Sequence, residues 1–507
     1  NSLKAIVNYQ DIDRLEDLIN QTRVPIGEVR YASTNRAFQG ISNVEVSISP
    51  ADMLEQKTAL FGMTRTGKSN TTKIIAKSVF DLRFDPEKSL RIGQIIFDPN
   101  GEYANENVQD ANNQANPSAL KNVWKSNSNG KKEDVVTYGI LEHPNDLDRK
   151  LMLLNFYEDE NLQKGKEIID AILTGDSDYI SNFRQVVFEA PDPADRSALT
   201  RYNRRVLAYR TLLAEAGFKP PDNLSPDTGS LFGRELRQAM ENSTSDRAAE
   251  YSAAAAIFGT RNPTWDQLYT AFLHLSHFIS ERGSGYTEFE NSYVTSSSSG
   301  DRWADEEFKK ILQMFFYPNG VRLIGQAIPQ HTNSTTEDYA VEIYNHLVQG
   351  HLVIVDQSSG EPELNQSSAE RIMWKIFREN QREFREGKHP PDILIYIEEA
   401  HNLLPHGSES DLKDVWVRSA KEGAKYNLGM VYVTQEVSSI QKNILKNTAN
   451  WFIGHLNNTD EIAELRKFYD FADFEKSILR AQDRGFLRVK TLSNLFVVPV
   501  QIKKFEV

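Results

Sequence analysis

At 507 residues, with 39% hydrophobic and 25% charged side chains, the chain is too long for one compact core and too apolar for wholesale disorder, so two or three globular units are expected. The absence of cysteine excludes disulfides, thiolate metal sites and cysteine nucleophiles, and fits a reducing, cytoplasmic setting. A formal charge of −13 argues against a protein that coats nucleic acid with its outer surface, but not against one that holds it in a narrow basic channel.

No run of about 18 apolar residues points to a membrane span, and the first residues lack a signal-peptide pattern. Residues 1–55 read as a small N-terminal β unit, with strand-like runs at Val24–Val29 and Val44–Ile48. Residues 56–140 read as the first part of a nucleotide-binding core. The apolar run Thr58–Phe61 leads into Gly62–Ser69, which spells GMTRTGKS and matches G-x-x-x-x-G-K-[ST] in full. A helix is expected over Asn70–Asp81, then a strand over Ile92–Phe97 ending at Asp98. Strand, glycine-bounded loop and helix together form a phosphate cradle, with the helix N-terminus adding its positive dipole end. The expected nucleotide contacts are Gly62, Thr64, Arg65, Thr66, Gly67, Lys68, Ser69 and Asn70. Lys68 is expected on the β- and γ-phosphates of ATP and the Ser69 hydroxyl on Mg²⁺.

A polar stretch, 104–134, follows as a long loop. Residues 141–335 are expected to form a helical insertion, from the spacing of Leu147, Leu151, Leu154 and Tyr157, and of Val206, Tyr209, Leu212 and Leu213. Residues 336–507 return to the core. Apolar strands are expected at His351–Asp356, Ile393–Ile397 and Leu428–Thr434, with a helix over Ser368–Gly387 and a terminal β pair within Gly485–Val507. Continuous apolar strands alternating with helices imply a buried parallel sheet, so the fold class is α/β.

Glu398-Glu399 closes a strand, where phosphoryl transfer needs metal neutralisation and a positioned water. Glu398 is the candidate for the metal shell, Glu399 for polarising the attacking water. Gln435, at the end of the next strand, is a candidate γ-phosphate sensor. Asp98 is a candidate for orienting the metal's water shell, although a Pro-Asn-Gly turn alone also explains it.

These segments together resemble the HerA branch of the HerA/FtsK superfamily. The resemblance is carried by GMTRTGKSNT at 62–71, FDPNGEY at 97–103, HLVIVDQS at 351–358, IYIEEAHNLLP at 395–405, KEGAKYNLGMVYVTQ at 421–435 and GFLRVK at 485–490. It implies a RecA-like core with an N-terminal HAS-type β-barrel. It also implies a homo-hexameric helicase or translocase driven by ATP and Mg²⁺, with duplex DNA in the central channel. A nuclease or NAD-hydrolysing effector would dock on the N-terminal unit, as in DNA-end processing or antiphage defence. The chain departs from the family at Gln56-Lys57, where an arginine–histidine pair is usual, and at Ala424, where an arginine is usual. Lys57, Arg418, Lys421 and Lys425 are the possible replacements for contacts to a neighbouring subunit's phosphates, a role worth 10³–10⁵ in rate when an arginine fills it. The N-terminal segment is also short for the family barrel.

Three further features have two readings each. Arg201, Arg204, Arg205 and Arg210 with Tyr202 form a basic helical stretch, either a nucleic-acid face or a solvated helix side. Lys121, Lys125, Lys131 and Lys132, and the loop His406–Lys413, are either channel contacts or solvent loops. His274 and His277 are spaced for one helix face without a third metal ligand nearby. The expected function is an ATP-driven duplex-DNA motor coupled to an effector; the rival is an ATP-binding hexameric scaffold that assembles an effector with little translocation.

Overall fold

The computed structural model describes residues 22–30, 44–86, 89–106, 118–173, 175, 177–297, 300–333, 338–359, 362–407 and 414–507. The chain divides into two compact units, one of residues 1–152 with 339–507 and one of residues 153–338.

The first unit is built on a 12-stranded sheet. Its strands are β1 (Val24–Val29), β2 (Glu45–Ile48), β3 (Lys57–Phe61), β4 (Gly93–Asp98), β5 (Val135–Gly139), β6 (Lys150–Leu151), β7 (Leu352–Asp356), β8 (Ile393–Ile397), β9 (Leu428–Thr434), β10 (Asn450–Ile453), β11 (Phe486–Lys490) and β12 (Val498–Ile502). The order is β2-β1-β12-β11-β10-β3-β9-β8-β4-β7-β5-β6. From β10 to β6 every neighbouring pair is parallel; β11, β12, β1 and β2 extend one end antiparallel. This is the α/β, RecA-like P-loop architecture.

Strands β7, β8 and β9 are buried along their whole length, as expected where helices cover both faces of a parallel sheet. The helix Lys68–Phe80 buries Ile74, Ile75, Ala76, Val79 and Phe80 in a core shared with Ile96, Tyr396 and Val431. The helix Val415–Glu422 sets Trp416 edge-on against Phe97 of β4, ring centres 5.1 Å apart. Parallel pairing aligns the C-terminal ends of β3, β9, β8 and β4 side by side, the end of an open α/β sheet at which ligands bind.

The second unit is helical. Its longest helices are Arg196–Glu215 and Trp265–Ser280, the latter opened by a reciprocal cap between Thr264 and Gln267. Its core holds a stacked pair, Phe232 on Phe258 at 4.0 Å, beside Phe272 and Trp303.

Of the expected N-terminal β unit, residues 1–21 and 31–43 lie outside the described residues; its strands β1 and β2 join the main sheet, β1 pairing with β12 and carrying β2 as the outermost strand. Three points of the sequence reading are corrected. Residues 141–152 belong to the sheet unit, not to the insertion. The Leu147–Tyr157 spacing is not a helix; Leu147 is 91% exposed and Lys150–Leu151 pairs as strand β6. Pro144, Asn145 and Asp146 make a turn there, which outweighs the apolar spacing. Finally, β5 and β10 are strands that the sequence reading lacked.

Candidate nucleotide site

The loop between β3 and its helix owes its shape to backbone contacts from several strands. Gly62 N–H donates to Thr434 O at 3.2 Å, Met63 N–H to His455 O at 2.9 Å, and Gly485 N–H to Thr66 O at 2.7 Å. Gly67 takes φ +98°, and a Cβ there would stand 3.0 Å from Gly485 N, so a side chain at this turn would be strained by the backbone and crowded against Gly485. Thr66 closes the turn, its hydroxyl donating to Met63 O at 2.7 Å. Thr64 and Arg65 lie exposed at the tip; Arg65 is left-handed at φ +67°. Lys68 Nζ donates to Gly62 O at 2.8 Å, across the loop's mouth. Burial lowers the Lys68 pKa, against the pull of Glu399, Glu398 and Glu102.

Asn70 lies elsewhere than expected in bonding terms. Its amide donates to Lys503 O at 2.9 Å and accepts from Phe505 N–H at 2.8 Å, so it anchors the C-terminal tail to the start of the phosphate-loop helix.

Strand order brings the acidic pair to this loop. β9 separates β3 from β8, so Gln435 stands between the loop and Glu399. Thr64 Oγ1 donates to Gln435 Oε1 at 3.2 Å. Glu399 adopts φ +48°, a left-handed backbone that costs a non-glycine residue about 1–2 kcal/mol. His401 Nδ1 lies 3.5 Å from Glu399 Oε2 and 3.0 Å from Thr434 Oγ1, bridging the two strand ends. Glu398 approaches the phosphate-loop helix, with Thr72 Oγ1 at 3.4 Å from its Oε1. Burial, then the nearby Asp98 and Glu102, push its pKa up to about 7, opposed by Tyr103 and Lys68.

Asp98 is corrected. Its carboxylate accepts from the backbone N–H groups of Glu102, Tyr103 and Ala104 at 3.0, 2.8 and 3.2 Å and is fully buried. It shapes the turn after β4 rather than reaching toward a metal's waters. Tyr103, given no role in the sequence reading, bonds Glu398 Oε1 through its phenol. The only signal was its place in the FDPNGEY run.

The proposed trans contacts are dispersed. Lys57 begins β3, at the far end of that strand from the loop, with its pKa lowered by burial. Arg418 pairs with Glu422 at 3.4 Å and stands 4.9 Å from the Phe377 ring. Lys421 and Lys425 are exposed. The arginine stretch is internal to the helical unit: Arg204 donates to Leu231 O and Trp303 O at 2.6 and 2.9 Å, while Arg201, Arg205 and Arg210 pair with Asp301, Asp305 and Asp159. Lys121 and Lys132 pair with Asp146 and Asp148. His274 meets Glu250 at 3.2 Å and His277 packs on Phe316; no metal-binding cluster of three or more such side chains occurs among the described residues. Most of the loop His406–Lys413 lies outside the described residues. Among the described residues no helix is long and apolar enough to cross a membrane.

The donor set fits a nucleoside triphosphate with a hard divalent cation. The loop is a glycine-shaped backbone cradle with one lysine, and a hydroxyl (Ser69) with a carboxylate oxygen (Glu398) suits Mg²⁺.

Residues 24–171 match the family model described as "Helicase HerA, central domain". The chain is 38% identical over 63 residues to the DNA double-strand break repair helicase HerA of Pyrococcus furiosus, covering 12% of this chain and 11% of that protein. It is 29% identical over 117 residues to the protein of the same description from Sulfurisphaera tokodaii, covering 22% and 23%. The matched stretches thus span less than a quarter of either relative. The bacterial conjugative coupling protein TrwBdeltaN70 superimposes over 97% of this chain and 92% of its own at 13% identity, but its TM-score of 0.36 carries no argument. The likeness to HerA helicases is thus carried by residues 24–171 and by the short stretches shared with the two relatives.

Proposed function

We propose that the protein is a Mg²⁺-dependent ATPase that converts hydrolysis into movement along duplex DNA as a homo-hexamer, working with a bound nuclease or other effector. The observation that carries the ATPase part is the row formed by the phosphate loop, Gln435, Glu399 and Glu398 at the ends of β3, β9 and β8. Lys68 and the loop amides hold the phosphates, and Ser69 and Glu398 hold the cation. Mg²⁺ supplies charge neutralisation at the phosphates when bound. Glu399, steadied by His401, orients the attacking water and takes its proton; Gln435 reports the γ-phosphate. Coupling to DNA, the ring, the effector and a role in DNA-end processing or defence rest on the likeness to HerA.

A second reading, an ATP-gated scaffold with slow turnover, is favoured by Ala424 standing where the family has arginine and by Arg418 being engaged within its own subunit. Steady-state ATP hydrolysis with and without linear duplex DNA separates the two. The motor requires DNA-stimulated turnover that weakens with added salt. Slow turnover indifferent to DNA in an assembled ring would sink it.

A further inference from the structure

Glu398 ends a strand in company that should disorder a carboxylate. Glu102 and Asp98 repel it, while Lys68 attracts it from one side. A glutamate with free side-chain torsions would rotate or turn away. The Tyr103 phenol prevents this by donating to Oε1, while Thr72 Oγ1, which donates to Lys68 O at 3.2 Å, stands 3.4 Å from the same oxygen.

Tyr103 is itself held from every side. Its N–H donates to Asp98 Oδ2 at 2.8 Å, and its carbonyl accepts from Lys121 N–H at 3.1 Å. Lys73 Nζ lies 5.7 Å from the centre of its ring, and the side chain is 1% exposed. Asp98 binds the amides of the turn and fixes its path, and Gly101 at φ +69° makes the sharp bend. The phenol is therefore a donor at a fixed point, reached across 295 positions of sequence.

We infer that Tyr103 is a positioning residue for Glu398: its phenol pins Oε1 so that Oε2 is presented, beside Ser69, to the divalent cation that accompanies a bound nucleoside triphosphate. This rests on the ATP-site reading above. The choice of residue follows from the chemistry. A phenol gives one hydrogen bond to the carboxylate, does not compete for the cation as a second carboxylate would, and reaches from a turn that a serine could not span. Thr72 and Ser69 are three residues apart on one helix, hence on one face, which puts the pinned carboxylate next to the metal-binding hydroxyl. Simple satisfaction of a buried hydroxyl would be indifferent to the cation; positioning would not.

The test is a fluorescence titration of the full chain with an N-methylanthraniloyl-ATP analogue, in EDTA and in excess magnesium. Tyr103→Phe should leave the metal-free affinity within about twofold of the unaltered protein and cut the magnesium-dependent gain about tenfold, the usual size for one hydrogen bond to a charged group. Tyr396→Phe is the structural control: it removes another buried phenol bond of the same sheet, 2.6 Å to Gln94 Oε1, and should change neither quantity. In a Glu398→Gln background Tyr103→Phe should add nothing further. An intact magnesium gain in Tyr103→Phe overturns the inference, as does an equal loss in EDTA or full additivity with Glu398→Gln. If Tyr103→Phe does not fold, Tyr103→Met is judged by the same thresholds. Hydrolysis is read in the same samples; absent turnover in the unaltered protein would refute the ATPase reading, while the magnesium gain still decides the role of Tyr103.

Discussion

Two sets of cations, each with one buried member, are used in opposite ways by the two units. In the helical unit each arginine of the 201–210 stretch has its counterpart: Asp301, Asp305 and Asp159 for three of them, and two carbonyls plus the Trp303 ring, 4.3 Å away, for Arg204. At the end of the sheet, Lys68 and Lys73 face Asp98, Glu102 and Glu398, with Glu399 also acting on Lys68. Acid is in excess there. A matched set describes a finished structure; an unmatched set describes a place that a further cation would complete. The basic run that attracts the eye in the sequence is thus held within the helical unit, whereas Glu102, Glu398 and Glu399 gather around Lys68 at the phosphate loop and Asp98 is spent on its own turn.

The largest effect should come from Glu399→Gln, which keeps the shape and removes the base. Turnover is expected to fall by about 10³, within the range for general-base loss, with nucleotide binding retained; turnover within a few-fold of normal would remove Glu399 from its role. Lys68→Ala should weaken ATP binding roughly ten- to hundredfold in equilibrium titration. Arg204→Met should destabilise the helical unit by about 3 kcal/mol in denaturant unfolding, because two buried carbonyls lose a charged donor, whereas Arg201→Met should stay within about 1 kcal/mol. If the pair Arg201→Met and Arg205→Met instead weakens duplex-DNA binding, the contrast between the two sets fails.

The smallest effect is in pH. Burial pushes Asp170 of the helical unit up to about 6, against the pull of Lys166, so its folded form binds the proton more tightly than the unfolded chain. That contribution is full below the usual carboxylate pKa and is lost as pH rises toward 6. Burial, then His346, lowers His351 of the sheet unit to about 4, so the contribution of this histidine is lost as pH falls from 6.5 toward 4. Asp170→Asn should therefore remove from the helical unit a loss of stability with rising pH, and His351→Gln should remove from the sheet unit a loss with falling pH, each read as the difference from the unaltered protein by hydrogen exchange between pH 4 and 6.5; differences of the same sign would break the contrast.

The phosphate loop and strands β7 to β9 were legible because buried parallel strands read as unbroken apolar runs, and because the glycine and lysine spacing has a backbone cause. β10 escaped because Trp451-Phe452-Ile453 is short and begins at Asn450, whose amide is buried against Asp52 O and Thr58 rather than marking a turn. The apparent helix at Leu147 failed because turn residues broke a spacing that looked right. The Tyr103 contact and the capture of Asp98 by its own turn were illegible for one reason: sequence shows which residues are polar, not which partner satisfies them.

The grip of Gly485 on Thr66 has a consequence for synthesis. The loop that would bind ATP is bracketed by strands β9 and β10 and by Gly485, all made hundreds of residues after it. At about 5–20 residues per second, a ribosome needs roughly 20–80 s to pass from the loop to its last bracket. The unit 153–338 can close on itself during that interval. The loop's bracketing is thus completed late, and a chain truncated on the ribosome just before Gly485 would carry the whole GMTRTGKS signature without the Gly485 contact to Thr66.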